Sequence, residues 1–244
     1  HQAVALSRLY CAAAVLSKNR LKRQPRNVDS HNEFSSINLS FSVKKTMSLI
    51  GGVDYGSKMA GTTAVVLGDT RTRRLTLYGS LAGQDADSFL LKIAEAHRPQ
   101  VLCIDAPLSL PGVYTRLPGC DDYFYRNADK LLRAMSPMFL GGLTARAMRL
   151  ATQLTGLSVK VCETYPAAQA RRLGLDSWGY KTKTEAIAPV VAQIADVLPD
   201  WDANAAQWRT WHHVDALLAW LGAWRLETQS AECFGDETEG VIYV

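Results

Sequence analysis

The chain has 244 residues, is 48% hydrophobic and carries a formal net charge of +4, enough apolar material for one domain with a substantial core. Residues 1–46 hold eight Lys or Arg and two Asp or Glu, which leaves 19 basic and 21 acidic residues for 47–244. The remainder is slightly acidic, which excludes a globally basic nucleic-acid-binding surface, and no stretch reaches the ~20 apolar residues of a membrane span.

Residues 1–46 differ in composition from the rest of the chain. The segment begins with His1, precedes the first methionine, Met47, and contains a polar stretch rich in Ser and Asn at 27–42. That composition predicts disorder. We expect a disordered or non-native N-terminal extension at 1–46 and one domain at 47–244. The basic, acid-poor character also resembles a mitochondrial transit peptide.

The five cysteines are scattered and form no C-x-x-C pair. This pattern predicts a reducing compartment, for which we expect the cytoplasm, and no zinc site. Cys103 and Cys162 lie within apolar runs and are expected in the core.

The pattern of apolar and turn residues predicts a mixed α/β domain. Short runs early in the chain are typical of an antiparallel meander, and the later alternation of strands and helices favours a mixed sheet. The predicted strands are 50–55, 62–68, 74–80, 101–104, 158–162 and 240–244. The predicted helices are 85–97, 121–135, 143–154, 166–173, 183–198 and 211–226, and a loop rich in Pro and Gly is expected at 106–119.

Acidic residues end three of the apolar strands, and a fourth lies near the start of the last long helix. Asp54, Asp105 and Glu163 close the strands, and Asp215 lies in the helix. A carboxylate at the end of a buried strand is costly unless it is paired. Several of them meeting at one edge of a sheet predict a divalent-cation site.

The four acids suggest metal-dependent phosphodiester hydrolysis. Asp54, Asp105 and Asp215 are the predicted ligands of Mg²⁺ or Mn²⁺, with Glu163 as a fourth catalytic acid that is either a ligand or a supporting group. Such sites hold one or two metal ions, and two would lie ~3.5–4 Å apart.

Basic residues near the acids are candidates for contacts with phosphate. Lys58, Arg126 and Lys181 are predicted phosphate-binding residues, although each could equally be a solvated surface charge. His212, three residues before Asp215, is predicted to support the site, to act as a general base, or simply to pack there.

Several motifs together resemble those of the domain-of-unknown-function 429 family, described as predicted RNase H-like nucleases. They comprise Gly51-Gly-Val-Asp54-Tyr-Gly-Ser-Lys58, Asp105-Ala-Pro-Leu-Ser-x-Pro, Asp121 with Arg126, Glu163-Thr-Tyr-Pro, Tyr180-Lys181, Asp215-Ala-Leu and Glu239-Gly-Val-Ile. The first strand also resembles that of YqgF-type proteins, and the last helix resembles that of RuvC-type resolvases.

The resemblance implies an RNase H-like fold and nucleic acid, DNA or RNA, as substrate. It implies a mixed five-stranded sheet of order 3-2-1-4-5, with strand 2 antiparallel, flanked by helices and with a helical insertion between strands 4 and 5. Asp54 and Asp105 would then be neighbours, with Glu163 on the adjacent strand. Two alternatives remain at this stage: a nucleotide-binding phosphotransferase of the sugar-kinase and actin type, and a non-catalytic scaffold.

Overall fold

The computed structural model describes residues 49–203 and 207–244, which form an α/β fold around one mixed sheet. The extension predicted at 1–46 lies outside the described residues. Within them, no helix has both the length and the apolar character needed to cross a membrane.

The central sheet has seven strands. They are β1 (Leu49–Asp54), β2 (Ala64–Asp69), β3 (Arg74–Gly79), β4 (Val101–Asp105), β5 (Lys160–Thr164), β6 (Cys233–Asp236) and β7 (Gly240–Tyr243). Their order is β3-β2-β1-β4-β5-β7-β6. β2 is antiparallel to both of its neighbours and β6 is antiparallel to β7, whereas β1, β4, β5 and β7 pair in parallel. The carboxyl ends of β1, β4 and β5 therefore meet at one edge of the sheet.

The resemblance implies five strands, whereas a hairpin extends this sheet beyond β5. The second strand of the hairpin, β7, confirms the strand predicted at 240–244. β7 pairs with β5, and β6 pairs with β7. β6 is only four residues long and contains Gly235 in a left-handed conformation, so it lacks the apolar alternation that identifies a strand. The turn is closed by Asp236, whose carboxylate accepts hydrogen bonds from the backbone N–H groups of Thr238 and Glu239.

Seven helices flank the sheet within the described residues. They are α1 (Ala86–His97), α2 (Asn127–Leu132), α3 (Pro137–Leu140), α4 (Gly142–Gly156), α5 (Pro166–Arg172), α6 (Ile187–Asp196) and α7 (Trp211–Glu227). The helix predicted over 121–135 is shortened to α2. Asp122 accepts hydrogen bonds from the N–H groups of Phe124 and Tyr125, and this local turn competes with helix formation.

The two faces of the sheet carry separate cores. On one face, Ile50, Cys103 and Cys162 pack with α6 and α7. On the other face, Val53 and Ile104 pack with α1 and α4. Because side chains alternate along a strand, residues two positions apart share a face. Asp54, four residues after Ile50, and Asp105, two after Cys103, therefore lie on the α7 face.

Gly52 allows α7 to lie directly against β1. A Cβ atom at this position would lie 1.9 Å from the backbone N of Trp220 and 2.4 Å from the carbonyl C of Ala219. The contact is with helix backbone, which cannot move aside as a flexible side chain can. Gly52 thus fixes the distance between β1, which carries Asp54, and α7, which carries Asp215.

Substitution of Gly52 by Ala is expected to destabilise the fold by about 3 kcal/mol, because α7 must shift away from the sheet. Urea denaturation of Gly52→Ala beside wild type measures the change. Gly156→Ala is the matched control, since a Cβ there meets no atom within 4 Å. Equal stability of the two variants would show that the close approach of α7 is not required.

Candidate functional site

Asp54 and Asp105 are direct neighbours in the sheet. They occupy paired positions at the ends of the parallel strands β1 and β4. Paired positions in neighbouring strands project to the same face, so both carboxylates point toward α7. Asp54 is 9% exposed, and Asp105 is partly buried.

Helix α7 brings Asp215 level with this pair. The backbone of Trp220 lies over Gly52. Asp215 lies five residues before Trp220 in the helix, and Asp54 lies two residues after Gly52 in the strand. Each of these separations is about 7 Å along the element, so the two aspartates lie at the same level. Asp215 is 4% exposed, so its carboxylate is held between the helix and the sheet.

Burial and neighbouring carboxylates raise the pKa values of Asp105 and Asp215. Burial raises the pKa of Asp105 well above its usual value, and the nearby charges of Asp54 and Asp215 raise it further. The pKa of Asp215 is also raised, first by burial and then by Asp54, although Lys181 opposes the shift. The arrangement therefore concentrates negative charge that a cation would stabilise.

Two consecutive residues, Tyr180 and Lys181, bind both oxygens of Asp215. The Tyr180 hydroxyl donates a hydrogen bond to Oδ1, and the Lys181 ammonium lies 2.7 Å from Oδ2. Burial and the adjacent Asp215 carboxylate raise the pKa of Tyr180, so the phenol stays a neutral donor. For Lys181, partial burial lowers the pKa, but the charge of Asp215 outweighs it and the net shift is upward.

His212 pairs with the second acid. Its Nδ1 lies 2.7 Å from Oδ2 of Asp54, while about half of its side chain remains exposed. The hydrogen bond to Asp54 raises the pKa of His212, and the charge of Asp215 adds to the shift. Sequence analysis left three roles open for His212, and this geometry favours the supporting one.

The His212–Asp54 pair predicts a specific pH dependence. Because the folded-state pKa of His212 lies above its usual 6.5, its contribution to stability is complete below pH 6.5 and is lost as pH rises through the raised value. NMR titration should give a pKa above 6.5 for His212 that returns toward 6.5 in Asp54→Asn. The pKa of His213, which is lowered mainly by burial and has only a minor contribution from Asp54, should change less. An unchanged His212 pKa in Asp54→Asn would contradict this account.

Glu163 does not join the three aspartates, which corrects the predicted grouping. In the register of β4 and β5 it pairs with Ile104, one position before Asp105. Side chains alternate in direction, so Glu163 points to the opposite face of the sheet from Asp54 and Asp105. It is 6% exposed, and burial raises its pKa against the opposing effect of Arg126.

Arg126 is the partner of Glu163, and its predicted phosphate contact was wrong. Its guanidinium makes bonds of 2.6 and 2.7 Å to the two oxygens of Glu163, and Nη2 lies 2.7 Å from Oδ1 of Asp129. It also donates to the hydroxyl of Ser109 at 2.8 Å. Because Arg126 is 0% exposed, it cannot meet a phosphate in solvent. The cluster instead ties the insertion between β4 and β5 to the sheet.

Lys58 and Lys181 also have partners in the structure. The ammonium of Lys58 lies 3.1 Å from Oδ2 of Asp85, the N-cap residue of α1, and half of its side chain is exposed. Such exposed pairs are weak, so Lys58 remains available to an incoming phosphate. Lys181 is likewise about half exposed, but its ammonium contacts Asp215.

The donor set fits a hard divalent cation, although the side chains do not surround one position. Three aspartates supply only carboxylate oxygens, the ligands preferred by Mg²⁺ and Mn²⁺. Within residues 49–203 and 207–244, no group of three or more His, Cys, Asp and Glu side chains is arranged to hold a metal ion. The bonds of Asp54 to His212 and of Asp215 to Tyr180 and Lys181 explain why these carboxylates point to different partners.

Two members of these clusters, Tyr180 and Asp129, have no predicted role there, and Tyr180 enters the sequence patterns only through the Tyr180-Lys181 pair of the resemblance. Tyr180 is adjacent to Lys181, so the aromatic residue beside a candidate lysine was the available signal. Asp129 follows Arg126 by three residues, a spacing typical of a helix-start pair. No local pattern reveals that Arg126 would be fully buried.

No protein-family model matches this chain, and no curated protein matches it. The resemblance noted from the motifs therefore stays a prediction.

Proposed function

We propose that this chain is a metal-dependent nuclease that hydrolyses phosphodiester bonds in DNA or RNA. Asp54, Asp105 and Asp215 would hold Mg²⁺ or Mn²⁺ at the carboxyl ends of β1 and β4. Glu163 would support the fold on the opposite face of the sheet.

The observation that carries the proposal is the unpaired carboxylate of Asp105. No ion pair or hydrogen bond of its side chain is found within the described ranges, and burial, followed by the charges of Asp54 and Asp215, raises its pKa. An unpaired, partly buried carboxylate beside two others is destabilising. Proteins retain such arrangements at functional sites, where a bound cation supplies the missing charge.

The proposed chemistry assigns separate tasks to the residues of the site. When bound, the metal would activate a water molecule and stabilise the negative charge that develops on the leaving oxygen. Tyr180 orients the carboxylate of Asp215 through its hydroxyl. His212 holds Asp54 and, at half exposure, can exchange a proton with solvent.

An RNase H-like fold within the domain-of-unknown-function 429 family is part of the proposal. It is supported by the run β3-β2-β1-β4-β5 within the sheet, by the antiparallel direction of β2, and by acids at the ends of β1 and β4 and in α7. The hairpin β6–β7 is an addition to that arrangement.

Nucleic acid as the substrate is supported by basic groups around the carboxyl end of β1. Lys58 follows the strand by four residues, and half of its side chain is exposed. Lys181 lies on the α7 side of the same edge. A local group of cations can bind a phosphate backbone even though residues 47–244 are slightly acidic overall.

The test combines metal binding with cleavage. Isothermal titration calorimetry should detect Mg²⁺ or Mn²⁺ binding to the wild-type protein. Labelled single-stranded and duplex DNA and RNA should be cut only with metal present, and EDTA should stop the reaction. Metal binding without cleavage of any of these substrates would reject the nuclease proposal and retain the metal site.

A non-catalytic role is the second candidate, favoured by the pairing of two acids with the chain's own cations. Lys181 neutralises Asp215, and His212 neutralises Asp54 when protonated. If these contacts are permanent, the site has no need of a metal. Absence of any calorimetric response to Mg²⁺ or Mn²⁺ would favour this role.

A further inference from the structure

An unusual backbone conformation directs Lys181 into the carboxylate site. Side chains of consecutive residues in an extended chain diverge. Lys181 instead has φ of 56°, a left-handed conformation that non-glycine residues seldom adopt. The turn brings both the Tyr180 hydroxyl and the Lys181 ammonium onto Asp215. The left-handed turn thus places both groups on one carboxylate.

The Lys181 ammonium brings a positive charge to the three negatively charged aspartates. It lies 2.7 Å from Oδ2 of Asp215, one of the predicted metal ligands. A divalent ion that binds the same carboxylate would lie within a few ångströms of the ammonium, where like charges repel strongly. A divalent ion therefore competes with the Lys181 ammonium for Oδ2 of Asp215.

We propose that Lys181 is a tethered counter-ion that occupies the cation position at Asp215 and must swing into solvent before a divalent metal can bind. This inference rests on the proposed metal site. About half of the Lys181 side chain is already exposed, so the ammonium can leave without disturbing the core. Tyr180, which is 9% exposed, stays in place and keeps Asp215 oriented.

The exchange has a functional consequence for the released lysine. Once Lys181 has left Asp215, its ammonium would be available to contact a substrate phosphate. The same residue would then stabilise the metal-free protein and contact substrate phosphate in the loaded protein.

The first experiment compares metal affinities by isothermal titration calorimetry with MgCl₂ and MnCl₂. Lys181→Met keeps the length of the side chain and removes its charge, so it should bind metal more tightly than wild type, on the order of tenfold. Lys183→Met is the matched control, because Lys183 is an exposed lysine two residues further along. If Lys181 only positions Asp215 as a ligand, Lys181→Met should bind metal more weakly or equally, and the inference is overturned.

The second experiment follows the lysine itself and needs no variant. Amine-reactive labelling of wild type, read by mass spectrometry, should accelerate at Lys181 severalfold when MgCl₂ is added, while Lys183 stays constant. An equal labelling rate with and without bound metal would contradict release of Lys181.

The two experiments separate this inference from the proposed function. Metal binding by wild type with no gain in Lys181→Met rejects the tethered counter-ion and leaves the metal site intact. Absence of metal binding in wild type and in Lys181→Met rejects both. Binding by Lys181→Met alone would show that Lys181 fully blocks the site, which supports the inference and rejects a metal-dependent wild-type enzyme.

Discussion

Replacement of Asp105 by Asn is expected to stabilise the metal-free protein and to abolish its response to Mg²⁺ or Mn²⁺. The substitution keeps the shape of the side chain but removes a charge that burial, Asp54 and Asp215 all disfavour. Relief of this repulsion should raise the free energy of unfolding by on the order of 1 kcal/mol, as is typical when a functional site is made less strained. The same change removes a metal ligand, so metal-dependent cleavage should fall at least about 100-fold.

The stability gain of Asp105→Asn should also depend on pH. The folded-state pKa of Asp105 lies above the usual 3.8, so the folded protein binds more protons than the unfolded chain between these values. As pH rises from 3.8 to the raised pKa, the free energy of unfolding of wild type therefore falls relative to that of Asp105→Asn. Below pH 3.8 the difference in free energy of unfolding disappears.

Thermal unfolding with and without MgCl₂, recorded at several pH values, measures both effects. Asp196→Asn, which changes an exposed aspartate at the end of α6, is the matched control and should behave as wild type. A metal-induced rise in Tm that persists in Asp105→Asn would remove Asp105 from the proposed ligands.

Replacement of Arg126 by Met is expected to cause a large loss of stability. Met fills much of the same space but leaves Glu163 and Asp129 as buried carboxylates without their cation. Breaking a buried ion pair by removing one partner costs about 3–5 kcal/mol. The insertion between β4 and β5 should loosen first, because Arg126 links it to β5.

Urea denaturation, with the m-value checked for two-state behaviour, measures this loss. Lys130→Met breaks the exposed pair with Asp122 and should change stability little. Adding Glu163→Gln to Arg126→Met should recover part of the lost stability, because it removes one buried charge that has no partner. A loss no greater than that of Lys130→Met would show that the cluster is not structural.

The Arg126 variants also test the separation of the two faces. Glu163 and Arg126 lie on the opposite side of the sheet from Asp54 and Asp105. Metal affinity in folded Arg126→Met should therefore match wild type. A marked fall in affinity would return Glu163 to the candidate metal site.

Much of the architecture follows from local patterns. Continuous apolar runs identify β1, β4 and β5, because strands buried on both faces need no polar alternation. The acids that end these runs indicate where functional groups meet, since parallel strands present their carboxyl ends at one edge. The weakly patterned β6 escaped detection, and the Asx turn at Asp122 replaced a predicted helical segment.

The membership of the site was decided by strand register, which local sequence does not encode. Asp105 pairs with Asp54, whereas Glu163 pairs with Ile104, and this single-residue offset sends Glu163 to the other face. The same limit applies to the cations: by sequence, Arg126 lies in a predicted helix and Lys181 in a loop, and neither pattern indicates a partner. Packing buries Arg126 against Glu163 and Asp129, while a left-handed turn delivers Lys181 to Asp215. Sequence thus supplies the charged groups, and long-range register and burial determine which of them can meet.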